Sequence, residues 1–180
     1  TIQINFGYDG QSGYFQETGE VYGPRGNGLT YGFNKPLTDS TTDSVVKMGY
    51  PVNCADDLDC QQNLFWEIKL PPAFYTVTLG IGDPTDLGIE NAFLETAALV
   101  NGVMINGKEE RHATVYVGDG ALTLSLGKDY ATTDEDSSFD YILIHGCLGL
   151  DSYAIATNEF NCAEDVGTGA GNSAVLAEDP

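Results

Sequence analysis

Basic residues are scarce in this chain. Seven Lys and Arg stand against 27 Asp and Glu, leaving a formal charge of −20 at pH 7. Nucleic-acid binding draws its affinity from Lys and Arg at phosphates, so that class is excluded. Docking on anionic lipid is excluded for the same reason. Histidine is scarcer still, with only His112 and His145. Neither lies beside a nucleophile signature, which removes Ser-His catalysis. The P-loop, the dinucleotide fingerprint and H-E-x-x-H are also absent. Carboxylates abound, but no spacing marks out an acid and a base for glycoside hydrolysis. The expectation is a protein that is not an enzyme. No apolar run approaches the roughly 20 residues needed to cross a bilayer, so membrane insertion is not expected. The chain opens on Thr1 with no initiator Met and no signal peptide, as a processed start or an excised domain would.

Cysteine is limited to Cys54, Cys60, Cys147 and Cys162. No pair has C-x-x-C spacing and no His lies close to one, which argues against zinc. An oxidised, extracellular (secreted) setting fits better. Three pairings are formally open. The two close pairs would each join a short loop in polar, Gly/Asp-rich sequence, predicting Cys54–Cys60 and Cys147–Cys162 disulfides. The acidic surface itself keeps a secreted protein soluble and suits a neutral or cationic partner.

Helix signals are nearly absent, and short apolar alternations punctuated by Gly, Asp, Asn and Pro take their place. "IQINF" (2–6) alternates cleanly. "NLFWEIKL" (63–70) stops at Pro71-Pro72, which forces an extended exit. "FYTVTLGI" (74–81) sets Tyr75, Val77 and Leu79 on one face and Phe74, Thr76 and Thr78 on the other. "FLETAALVNGVMI" (93–105) carries Asn101-Gly102, with Asn106-Gly107 soon after, pairs favoured in tight turns. "RHATVYV" (111–117), "GDG" and "ALTLSL" (121–126) read as a hairpin, and "SFDYILIHG" (138–146) as a central strand. Many short strands with no helix between them predict an all-β, antiparallel β-sandwich over residues 1–146. Residues 147–180 read as a disulfide-anchored extension and tail, in which "AVLA" could add a short edge strand.

Two loops could carry chemistry. "YGPRGNGLTYGF" supplies Tyr22, Arg25, Asn27, Tyr31 and Phe33 on a glycine-hinged backbone. An aromatic face accepts the C–H side of a sugar ring, and a planar polar group can grip neighbouring hydroxyls. The same residues admit a structural role, with Tyr31 and Phe33 plugging one end of the sandwich and Arg25 paired to an acid. Trp66, beside Phe65 and Ile68, is expected in the core, and His145 is expected to be structural. "GIGDPTD" (80–86) reads as a strand end and turn presenting Asp83 and Asp86, which with Glu90 could hold calcium. "DDLD" at 56–59 lacks the EF-hand spacing.

The order "INFG", "GEVYGPRGNGLTYGF", "FWEIKLPPAFYTVTLGIGDP", "VNGVMING", "VYVGDGALTLSLG" and "FDYILIHG" resembles malectin-like and galactose-binding-like carbohydrate-binding modules. The Gly-Asp-Pro end of the 74–83 strand also resembles the Gly-Asp-Pro-His domains of diatom and bacterial adhesive proteins, with Thr85 where that motif has His. Without that His, the autocleavage known of some such sequences is not expected at Asp83-Pro84. The resemblance implies a jelly-roll sandwich that binds polysaccharide or glycan, in adhesion or in targeting a larger extracellular protein to its substrate. It also implies one structural Ca2+ where the first loop meets the last strand, with Glu17 or Glu20 and Asp140 as ligands. The competing readings are a self-associating matrix or filament protein and an accessory domain of a polysaccharide-active enzyme.

Overall fold

The computed structural model describes residues 1–7, 10–37, 45–48, 64–85, 87–126 and 137–146. The four cysteines, Asp86, "AVLA" and the whole of 147–180 lie outside the described residues. Twelve strands and no helix occur among the described ones: β1 (Ile2–Phe6), β2 (Phe15–Glu17), β3 (Gly23–Pro24), β4 (Thr30–Phe33), β5 (Val46–Met48), β6 (Phe65–Lys69), β7 (Ala73–Ile81), β8 (Leu87–Leu94), β9 (Ala97–Asn106), β10 (Glu109–Val117), β11 (Ala121–Ser125) and β12 (Ser137–Gly146). None of these residues forms a helix long and apolar enough to cross a membrane.

Two sheets pack face to face as a jelly-roll sandwich. The first runs β10-β7-β12-β1-β2, with β5 also on β12, and the second runs β3-β4-β6-β11-β8-β9. Strand pairing is antiparallel except for β1 with β2, where Ile4, Asn5 and Phe6 lie beside Phe15, Gln16 and Glu17 in parallel. Alternation explains the layering. Tyr75, Val77, Leu79 and Ile81 of β7 are buried, as are Ile142 and Ile144 of β12, Trp66 and Ile68 of β6, and Leu122 and Leu124 of β11. These side chains form one core, each contributing about 1.5–3 kcal/mol on full burial. Trp66 spans the two layers: its ring meets Phe6 edge-on at 5.4 Å between centroids and lies 6.0 Å from Tyr31.

Two turns differ from expectation. Residues 111–117 and 121–126 do not make a hairpin, because β10 pairs with β7 in the first sheet while β11 pairs with β6 and β8 in the second. Gly118-Asp119-Gly120 instead carries the chain across the sandwich edge. Asp119 Oδ1 accepts the Ala121 N–H at 3.1 Å, and the Gly120 carbonyl accepts the Leu70 N–H at 3.0 Å. Alternation tells which face of a strand is buried, not which neighbour it pairs with, and the short connection misled the reading. The second reversal, expected near Asn101-Gly102, falls at Glu95-Thr96 between β8 and β9, with Glu95 at φ 54°. Gly102 is the extra residue of a bulge, since Glu90 faces Val103 while Asn91 faces Asn101. Its N–H donates to Asn91 Oδ1 at 2.8 Å, so the Asn-Gly pair kinks the strand rather than ending it. Asn106-Gly107 does turn the chain, from β9 into β10. The glycine-rich segment before residue 34 holds three short strands, β2 to β4, and β5 adds a fourth element that the sequence pattern did not show.

Candidate functional site

The loop from Glu17 to Phe33 is built around a buried ion pair. Glu17 ends β2 and is fully buried, while Phe15 and Gln16 before it are exposed. Its Oε1 accepts the N–H groups of Gly19 at 2.9 Å and Glu20 at 3.0 Å. Its Oε2 accepts Trp66 Nε1 at 3.1 Å and Arg25 at 3.2 Å. Arg25 reaches Glu20 at 2.6 Å with its other terminal nitrogen and lies over the Tyr31 ring, 4.9 Å from the centroid. Tyr31 is 2% exposed and donates to the Gln16 carbonyl at 3.0 Å, while Phe33 is wholly buried. Of the two roles open to these residues, the geometry gives Arg25, Tyr31 and Phe33 the packed one. Tyr22 and Asn27 stay at the surface, with Asn27 Oδ1 capping the Leu29 N–H. Burial pushes the Glu17 carboxyl above its ordinary value, and Arg25 and the N–H donors pull it only part of the way back. Because the folded value is raised, stability falls as pH climbs from 4.5 through that value, the cost of ionising a buried carboxyl; its hydrogen-bond donors still need its oxygens at any pH.

The other acids expected at a metal are held by cations. Lys108 lies 2.8 Å from Asp140, and Lys47 lies 3.2 Å from Asp83. Asp83 Oδ1 also accepts the Thr85 N–H at 2.8 Å and the Thr85 hydroxyl at 2.7 Å, which closes the Gly-Asp-Pro turn. Glu90 is buried and accepts the Ser138 N–H at 2.7 Å. Among the described residues no group of three or more His, Cys, Asp or Glu is placed to hold a metal. The oxygens of Glu17, Glu20, Asp140 and Asp83 face Arg, Lys and N–H donors, and Asp86 lies outside the described residues.

Asp83 supplies a pH test. Burial raises its carboxyl, but the two Thr85 hydrogen bonds and Lys47 outweigh that and hold it below its ordinary 3.8. Its contribution is thus complete above pH 3.8 and lost as pH falls through the lower folded value. Asp83→Asn is expected to cost about 1 kcal/mol at pH 7, the part due to half-exposed Lys47 being small. Urea midpoints should show the gap between wild type and variant closing as pH falls below 3.8; a constant gap would refute the assignment.

A different surface carries partly exposed aromatics. On the outer face of the first sheet, Tyr141 of β12 faces Gly80 of β7, which faces Glu110 of β10. The Tyr141 ring lies across Gly80, so close that a Cβ there would fall 2.6 Å from the ring. Its hydroxyl crosses β7 to donate to Glu110. Burial and the Glu110 carboxylate push the Tyr141 phenol well above its ordinary range, so it stays a donor at any working pH. Tyr14, on the loop entering β2, stands nearly upright against it, 6.1 Å between centroids and 75° between planes. Thr78 Oγ1 and His112 Nδ1, side by side on β7 and β10, are 2.9 Å apart, and His145 bonds Thr1 at 2.8 Å. The sequence reading passed over this surface. Gly80 inside an otherwise regular strand was the available sign, since a glycine there marks a close approach. Which rings approach it depends on strand order, which alternation does not give.

No protein-family model and no curated protein matches the chain. Among solved structures it is similar to the YxiM protein of Bacillus subtilis, at 17% identity and TM-score 0.48 over 81% of this chain and 39% of that one. It is also similar to the plant receptor-like kinase ANX2, at 13% identity and TM-score 0.44 over 79% of this chain and 46% of that one. A third is CBM35 from Paenibacillus barcinonensis, at 12% identity and TM-score 0.33 over 70% of this chain and 97% of that one. The chain thus spans less than half the length of the first two. These figures describe a partial likeness of fold and no more.

Proposed function

We propose that this domain is a non-catalytic, secreted module that binds polysaccharide or glycan, in adhesion or in targeting a larger extracellular protein. The observation that carries the reading is the Tyr141 ring packed closely over Gly80 on the outer face of the sheet. A partly exposed ring held on a rigid sheet can meet the C–H side of a sugar at little cost in side-chain entropy. Glu110, already holding the phenol, fixes the ring's orientation, and the hydroxyl and imidazole pair of Thr78 and His112 lies beside it for sugar hydroxyls. Tyr141→Ala is expected to weaken retention on a glycan array by about tenfold or more, near 1.4 kcal/mol. Its melting temperature should hardly change, because the ring lies outside the core. Undiminished retention would overturn the reading.

Self-association is the second reading, and β9 favours it. It is an edge strand of the second sheet, carries no charged residue, and leaves Val103 40% and Met104 63% exposed. Uncharged exposed edges template strand pairing. Concentration-dependent sedimentation that persists in excess free sugar would favour this reading over glycan recognition.

A further inference from the structure

Resting on the glycan-binding reading, we infer that the ligand is a neutral linear polysaccharide, lying along β7 across several sugar rings. The outer face has a second aromatic pair at the opposite end of the same strand. Phe74 of β7 and Tyr116 of β10 are cross-strand partners, with ring centroids 4.9 Å apart, and Tyr116 is 51% exposed. Phe74 and Gly80 both face outward and are six residues apart on one strand, which places the two aromatic pairs about 20 Å apart. That distance exceeds the reach of a single sugar and suits a chain bridging two platforms.

The surface between the pairs fits such a chain. Thr76, Thr78, His112 and Thr114 point outward there, and Leu143 and His145 of β12 flank them. Between the aromatic pairs this strip holds no Asp, Glu, Lys or Arg, in a protein of formal charge −20. Hydroxyls and imidazoles both give and accept hydrogen bonds, as neutral sugar hydroxyls require. An anionic polysaccharide would meet no cation on the strip and would be repelled by the whole molecule's field.

The test uses the whole 180-residue chain and titration calorimetry with glucose, cellobiose, cellotetraose and cellohexaose. The matching manno-, xylo- and galacto-oligosaccharides run in parallel, with polygalacturonate as the anionic probe. In the series that binds, affinity should rise by about tenfold or more between the disaccharide and the hexasaccharide. Tyr116→Ala should return the hexasaccharide to near the disaccharide's affinity while leaving the disaccharide unaffected. Polygalacturonate should not bind. A monosaccharide bound as tightly as its hexasaccharide, with both lost in Tyr141→Ala, would overturn the extended site and leave glycan binding standing. So would a full-strength Tyr116→Ala variant. Absence of any neutral-glycan binding would overturn both.

Discussion

Glu17→Ala is expected to lose about 3–5 kcal/mol, a large fraction of the stability of a single domain. The carboxylate has no solvent exposure, and each of its oxygens accepts two donors. Removing it leaves the Gly19 N–H and the Trp66 indole N–H buried without an acceptor, each costing about 1–3 kcal/mol, and frees the part-buried Glu20 N–H. Arg25 keeps Glu20 but loses its buried partner, and a cavity opens beneath Trp66. Glu17→Gln should cost about half as much: its carbonyl serves two donors, while its amide faces the other two. Chemical denaturation of the three proteins at pH 7 would show the ranking. An alanine variant as stable as wild type would mean that the loop from Glu17 to Phe33 does not close over Trp66 as described.

Gly82→Ala should come next, at about 3–4 kcal/mol. Gly82 sits at φ +101°, and a Cβ there would fall 2.1 Å from the Gly107 carbonyl oxygen and 2.9 Å from Ile105. The first obstacle is backbone in the turn from β9 to β10, so it cannot swing aside as a side chain would. Its N–H also donates to the Ser138 carbonyl at 2.8 Å, tying the end of β7 to β12. Relief would require moving that turn, and with it Lys108 from Asp140. Gly102→Ala is the internal control: it too has positive φ, +64°, but nothing lies within 4 Å of its Cβ position. It should cost only about 1 kcal/mol, the backbone strain alone. Equal losses at the two positions would assign the effect to φ and not to the close approach.

The sequence alone carried the sandwich and most of its strands, because alternation is a local property that burial enforces residue by residue. "FYTVTLGI" and "SFDYILIHG" came through nearly intact as β7 and β12. Partner choice did not. Gly118-Asp119-Gly120 has the composition of a hairpin turn, yet the chain crosses it from one sheet to the other, a decision made by the cores on either side. The site divided along the same line. Arg25, Tyr31 and Phe33 were visible as a set, but only the inward turn of Glu17 and the place of Trp66 decide that they pack together. The outer-face rings come from four separate segments, β7, β10, β12 and the loop carrying Tyr14, and no spacing within any one segment announces them. "GIGDPTD" behaved as local chemistry dictates: Asp83 closes its own turn through Thr85, the residue that stands where the resembling motif has His.

The place of β1 bears on how the molecule is made. Ile2 pairs with Ile144, and the neighbouring pairs run through Asn5 with Tyr141. As a ribosome releases the chain, β1 appears early and its antiparallel partner appears last among the described strands. Until then β1 can offer β2 only a three-residue parallel ladder, too little to hold Glu17 against Trp66. Contacts this distant make folding slow, in the millisecond-to-second range. The nascent domain therefore waits with its apolar strands open, and the surplus of negative charge that tells so little about its ligand would serve to keep such waiting chains apart.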